Sequence, residues 1–267
     1  MVNTPRLLEK MNELGLDGLV ATTLGNVYYF TGVYSAGLFS FPYDHQSFAV
    51  ISRDHPSKPV FITSKGLSNQ VLDCFSNIQD VILYGEFFRE GPFENTQLLP
   101  DDRRLIDIQN TISFPTPADA LAFALEKMNL KDKKVGIDEL NIKPQVFKVL
   151  QDKLPGAKFE NISSALRWVR KVKTPREIEI IRKVSQINET GILAAMEIAE
   201  QGVTEAEMVQ AYEHAVISQG GQLHASWVRF GAGGVAAERK PNNTKLAKGE
   251  PIFLDLSCAY QGYFADF

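Results

Sequence analysis

The chain has 267 residues, 44% of them hydrophobic and 22% charged, which is the balance of a globular protein with a sizeable core. Its 28 basic and 32 acidic side chains leave a formal charge of −4, so no basic excess marks a binder of nucleic acid or acidic membranes. No apolar run reaches the roughly 18 residues of a spanning helix, the N-terminus lacks the apolar core of a signal peptide, and Cys74 and Cys258 lie far apart outside any CxxC; a cytoplasmic protein with free thiols is expected.

The first half alternates short apolar runs with helical patterns. "GLVATT", "SFAVIS", "PVFIT", "DVILYG" and "KVGID" read as buried strands. "PRLLEKMNELG", "KGLSNQVLDCF", "PADALAFALEKMNL" and "KPQVFKVLQDKL" space their apolar residues as helices do. Such alternation predicts an α/β domain with a largely parallel or mixed sheet. "NVYYFTGVY" reads as a core strand followed by a turn at Gly32, and "YGEFFREGPFENTQLLPDDRR" as an irregular surface loop.

The second half begins with a long helix. Thr174, Pro175 and Glu177 have the spacing of a capping box with proline at the first helical position, and Gly202 ends the pattern. Thr204 and Glu207 repeat the box for a second helix that stops at Gly220-Gly221. Strands follow. The basic stretch at 165–173 marks the boundary, giving domains 1–168 and 169–267.

The chain closes on "PIFLDLSCAYQGYFADF", two apolar arms around a polar turn, with Asp255 on one arm and Asp266 on the other. If the turn centres on Tyr260-Gln261, the two aspartates face each other directly and share one side of the hairpin. Two carboxylates so placed repel, and a pair of divalent cations about 3.5–4 Å apart would reverse the sign of that interaction. On an ordinary hairpin both would simply face solvent. Phe253, Leu254, Leu256, Phe264 and Phe267 instead point to arms buried on both faces, where carboxylates need partners.

"FLDLSCAYQGYFAD" resembles the first metal-ligand segment of the pita-bread metallopeptidases, the group of Xaa-Pro aminopeptidase, prolidase and creatinase. "TKLAKGEPIFLD", "VRKVKTPREIEIIRK" and "RLLEKMNELGLDGLVATTLGNVYYFTG" are similar to the approach to the first ligand, the opening of the catalytic domain, and the start of the creatinase-type N-terminal domain. The resemblance implies an α/β creatinase-like N-terminal domain followed by the first part of an α+β pita-bread domain. It implies that Asp255 and Asp266 ligate a dinuclear site of Mn²⁺, Co²⁺ or Zn²⁺. In such a family the remaining ligands, a His and two Glu, lie beyond the second Asp, so a longer natural protein is expected and the 267 residues alone are expected to be inactive. No general base is assigned within the chain.

The resemblance also implies a short peptide substrate with proline second, a homodimer, and no nucleic-acid or membrane partner. Counting back from Pro241, Glu238 stands where such peptidases carry a substrate-contacting His. This keeps open a creatinase-like hydrolase of a non-peptide C–N bond; a catalytically dead pita-bread module that binds proteins is the third reading. His224 is the only His near the expected site and is a candidate substrate contact, with a packed or surface role as the commoner alternative. "NVYYFTGVY" would, by the same resemblance, help wall the substrate entrance. The glycine-rich "GAGGVAAE" has no Lys-Ser/Thr after it and is not a P-loop. His45, His55 and His214 are given no role.

Overall fold

The computed structural model describes residues 2–88, 99–236 and 239–267. The chain divides into two compact units, Met1–Thr174 and Pro175–Phe267.

The first unit is built on a mixed sheet. Its strands are β1 (Gly18–Ala21), β2 (Phe48–Ser52), β3 (Val60–Ser64), β4 (Asp80–Tyr84), β5 (Ser113–Phe114), β6 (Lys134–Ile137) and β7 (Lys158–Asn161), in the order β5-β4-β3-β2-β1-β6-β7. The β1–β2 and β2–β3 pairs are antiparallel, and the outer pairs are parallel. Helices α1 (Thr4–Leu14), α2 (Leu24–Thr31), α3 (Ala36–Ser40), α4 (Pro100–Gln109), α5 (Pro117–Lys127), α6 (Pro144–Lys153) and α7 (Ser163–Lys171) accompany it. Alternate residues of the central strands serve two cores, because successive side chains leave a strand on opposite sides. Val20, Val50 and Ile62 pack with Leu121 and Leu125 of α5 and Leu150 of α6. Leu19, Ala21 and Ile51 pack with Leu7 and Met11 of α1, Phe30 of α2 and Leu166 of α7. A sheet covered on both faces explains why its strands read as unbroken apolar runs.

Three parts of this unit differ from the sequence expectation. "NVYYFTGVY" is not a strand: it lies largely in α2, which ends at Gly32 with φ 77° and the Gly32 amide donating to the Tyr28 carbonyl at 2.7 Å. The helix starts there because the buried Asp138 carboxylate accepts from the Thr23 amide, the Thr23 hydroxyl and the Asn26 side-chain amide, the last at 2.7 Å. "KGLSNQVLDCF" forms 3₁₀ turns over Lys65–Asn77 rather than an α-helix. In the segment expected to be irregular, Pro100 opens α4, with Asp101 and Asp102 in its first turn where the helix dipole favours them. Residues 89–98 of that segment lie outside the described residues.

The second unit contains α8 (Pro175–Glu197), α9 (Glu205–Ser218), and strands β8 (Gln222–Phe230), β9 (Ile252–Tyr260) and β10 (Tyr263–Asp266). The Thr204–Glu207 box forms as expected: the Thr204 hydroxyl accepts from the Glu207 amide at 3.2 Å, and Glu207 accepts from the Thr204 amide at 2.8 Å. Gly191 permits the close crossing of the two helices, since a Cβ there would lie 2.6 Å from the Tyr212 ring. Both helices cover one face of the antiparallel sheet β10-β9-β8. Within this core Tyr212 donates its hydroxyl to Asn188 Oδ1 at 2.5 Å, and Asn188 Nδ2 donates to the Leu256 carbonyl at 2.9 Å. The pair is buried and ties β9 to α8 from behind.

Two outcomes test this packing. Asn188→Ala removes one of two donors to the Leu256 carbonyl, which keeps the Phe267 amide at 3.3 Å, and the acceptor of the Tyr212 hydroxyl, and is expected to cost about 2–3 kcal/mol in urea unfolding, against about 1–2 kcal/mol for Tyr212→Phe. Equal costs would show that the two bonds do not act through Asn188. In the first unit, His45 is buried against the Ser47 hydroxyl, 2.7 Å from its Nε2, and Tyr84 lies beyond at 3.4 Å from Nδ1. Burial, aided by the charge of Lys143, lowers the His45 pKa from 6.5 to about 4. The folded state thus resists a proton that the unfolded chain accepts. Stability is full above pH 6.5 and falls as the pH drops toward 4, by about 3 kcal/mol at the lower end. Denaturation of His45→Gln across this range should show a flatter acid limb than the unsubstituted chain.

Candidate functional site

Gln261 and Gly262 both take left-handed backbone, φ 47° and 76°. That is the two-residue turn whose twist matches a hairpin, and Gly262 adopts it without a Cβ penalty. The turn therefore centres on Gln261-Gly262 and not on Tyr260-Gln261. Tyr263 pairs with Tyr260, and Asp266 faces Ser257 rather than Asp255. The directly opposed register is corrected by two residues. A shift of two preserves the side of the strand, so Asp255 and Asp266 share one face as diagonal neighbours. Strand geometry puts diagonal neighbours about 7–8 Å apart at Cα and somewhat less at Cβ.

That face is the one turned away from α8 and α9. Val228, Leu256, Cys258 and Ala265 point to the helices. The alternate positions carry Asp255, Ser257, Phe264 and Asp266, with Trp227 of β8 directly opposite Asp255. Ser257 is buried at 3%, Asp255 is half-buried, and Asp266 is exposed. Phe264 and Phe267 are also exposed, at 54% and 62%, so β10 is not buried on both sides as its composition suggested. Ser257 thus lies between the two carboxylates' positions, with Asp255 two residues before it on β9 and Asp266 directly across from it on β10.

His224 reaches the same region through a bulge. The pairing of β8 with β9 slips between Leu223 and Ala225, and the extra residue is His224. Its ring centroid lies 4.8 Å from that of Phe264 in an edge-to-face arrangement. Glu238 lies outside the described residues. Trp227 was not singled out from the sequence: its only signal is membership of a strand, and its register opposite Asp255 depends on a pairing with no local signature.

The donor set is two carboxylates, hard oxygen donors suited to divalent cations. Among the described residues no group of three or more His, Cys, Asp or Glu is arranged to hold a metal ion. The pair fits part of a metal site. Cys258, one position from this face, is a buried free thiol whose pKa is raised by burial, and it packs toward the helices, away from the carboxylates.

Residues 4–172 match the creatinase/prolidase N-terminal domain, and residues 179–267 match metallopeptidase family M24. An X-Pro aminopeptidase from Thermotoga maritima MSB8 shares the fold with a TM-score of 0.68 at 20% identity, over 100% of this chain and 64% of that one. Prolidase from Pyrococcus furiosus gives 0.66 at 17%, over 98% and 68%. Xaa-Pro dipeptidase from Bacillus anthracis gives 0.67 at 17%, over 98% and 62%. An uncharacterized peptidase of Staphylococcus saprophyticus is 23% identical over 263 residues, 98% of this chain and 63% of the relative. One from Staphylococcus aureus strain USA300 is 23% identical over 271 residues, 100% of this chain and 64% of the relative. The chain thus spans just under two thirds of the length of these curated relatives.

Proposed function

Because the chain belongs to the creatinase/prolidase N-terminal domain family over residues 4–172 and matches metallopeptidase family M24 over residues 179–267, we propose that it forms part of a dinuclear-metal hydrolase of short peptides with proline second. The observation that carries this reading is the placement of Asp255 and Asp266, eleven residues apart, on one face of the β9–β10 hairpin. Bound divalent ions would supply an activated water and polarise the scissile carbonyl. The chain's own residues do the rest. Asp255 and Asp266 hold the charge in place, the β9–α8 tie keeps Asp255 at a fixed height, and Trp227 narrows the approach from the β8 side. Removing water from that approach strengthens every electrostatic contact within it.

Two carboxylates leave most of a divalent ion's six or more coordination positions to water. The remaining ligands, in this proposal, lie outside residues 1–267. Mn²⁺, Co²⁺ and Zn²⁺ all accept carboxylate oxygen, and Mn²⁺ is the hardest of the three. Cysteines outside any disulfide suit a reducing compartment, and a cytoplasmic location is part of the same proposal. A homodimer is part of the same reading, and light scattering of the complete enzyme should give twice the monomer mass. Glu238, acidic where a peptidase of this kind places a His, favours a second reading in which the substrate is a non-peptide C–N compound such as creatine.

Trp227 offers a direct readout, since an ion on Asp255 sits beside its indole. Titration with Mn²⁺ or Co²⁺ should quench tryptophan fluorescence with a midpoint in the range of about 0.1–1 mM, the range of weak carboxylate sites. Asp255→Asn should abolish the quenching, and Trp227→Phe should leave only the unresponsive signal of Trp168. Quenching that survives Asp255→Asn would place the metal elsewhere. For activity, the 267-residue chain alone should not turn over, whereas a protein that also supplies the other ligands should cleave Xaa-Pro peptides. Turnover of creatine and not of Xaa-Pro would select the second reading, and turnover by the short chain would refute the ligand count.

A further inference from the structure

We propose that Glu205 and Arg229 are a buried positioning pair that fixes the loop walling the Asp255 end of the open sheet face. The proposal rests on the reading of Asp255 as a ligand, because the wall matters only if something binds there.

Glu205 is the first residue of α9 and is fully buried, and Arg229, near the end of β8, is 6% exposed. Arg229 Nη1 donates to Glu205 Oε2 at 2.9 Å. Each partner then reaches one side of the loop. Arg229 Nε donates to the Gly233 carbonyl at 3.4 Å, and a Cβ at Gly233 would lie 3.1 Å from Arg229 Nη2. Glu205 accepts from the Asn242 amide at 3.2 Å and from the Phe230 amide at 3.3 Å. Backbone bonds from Glu205 to Thr244 and from Ala206 to Asn242 reinforce the second attachment. The pair thus holds residues 231–236 on one side and 239–244 on the other.

The first side bears on the site. The Gly231 amide donates to the Pro251 carbonyl at 2.9 Å, and a Cβ on Gly234 would stand 3.5 Å from Phe253 Cβ. Phe253 is two residues before Asp255 and shares its face. Backbone at Gly234 therefore closes the face beside Asp255, at a height set by Arg229.

A buried ion pair is a poor source of net stability, because desolvation offsets the attraction and an apolar pair of similar volume often does as well. What it supplies here is direction: a guanidinium and a carboxylate accept few arrangements, whereas methyl groups accept many. Loss of either partner alone strands a buried charge and is strongly destabilising, so single variants do not separate positioning from stability.

The test uses two double variants of the full chain and hydrogen exchange read by peptide. In Glu205→Met/Arg229→Met both side-chain attachments go, and only the two backbone bonds at Glu205 and Ala206 remain on the second side. The expected result is exchange faster by about tenfold or more in 231–236 and in 239–244, with β9 protection unchanged. In Glu205→Gln/Arg229→Met the side-chain oxygen still accepts from Asn242, so only 231–236 should loosen. Mn²⁺ quenching of Trp227 should shift to several-fold higher metal concentration in both. Unchanged exchange in the loop would overturn the proposal, and so would an equal rise across β9, which is the mark of a pair that merely stabilises the unit. Failure of Mn²⁺ to quench Trp227 in the unsubstituted chain would remove the metal reading, while exchange would still decide the clamp.

Discussion

The left-handed turn at Gln261-Gly262 sets everything that the hairpin presents. With two residues in the loop, β10 lies on β9 with Asp266 opposite Ser257, and each side chain of both strands is assigned to a face. A three-residue loop would move β10 by one residue and turn Asp266 toward the helices, into the space that Ala265 fills. Tyr260 is then the last residue of a strand and not part of a turn. At the roughly 7 Å that strand geometry gives diagonal neighbours, two carboxylates repel by about 0.6 kcal/mol at the dielectric of water. That is small beside the apolar packing of Leu256, Cys258 and Ala265, so the hairpin keeps its register without a cation.

The strand that carries Asp255 is held from two directions. Behind it, Asn188 ties the Leu256 carbonyl to α8 and is itself oriented by Tyr212. At its near end, the loop after β8 is drawn over Phe253 by the Arg229–Glu205 pair. Both devices are polar and buried, and both fix positions more than they add to net stability. Apolar packing in this unit settles which face of the sheet meets the helices. The polar ties settle where along that face each residue stands.

The difference between what the sequence conveys and what it withholds follows the range of the interactions. The shared face of Asp255 and Asp266 is legible because side-chain parity survives a register error of two. The direct opposition is not, because it depends on which two residues adopt positive φ. The strands around Val20, Val50 and Ile62 are legible as apolar runs, since both faces of their sheet are covered. Helix α2 is not: its N-terminal partner, Asp138, lies 112–115 residues away, and nothing within "NVYYFTGVY" announces it. The capping box at Thr204 is local and was readable. Glu205 beside it reads as one more acid in a first turn, and its ionic role becomes visible only with Arg229 packed against it.

The proposed function requires the aspartate pair to receive divalent metal on the open face. The most direct measurement is an anomalous difference map from a crystal of the chain soaked in Mn²⁺. Density is expected on the face of Trp227 and Ser257, within coordination distance of both the Asp255 and Asp266 carboxylates. Metal bound to one aspartate with the other turned away, or a strongest peak in the Met1–Thr174 unit with none at this pair, would contradict it.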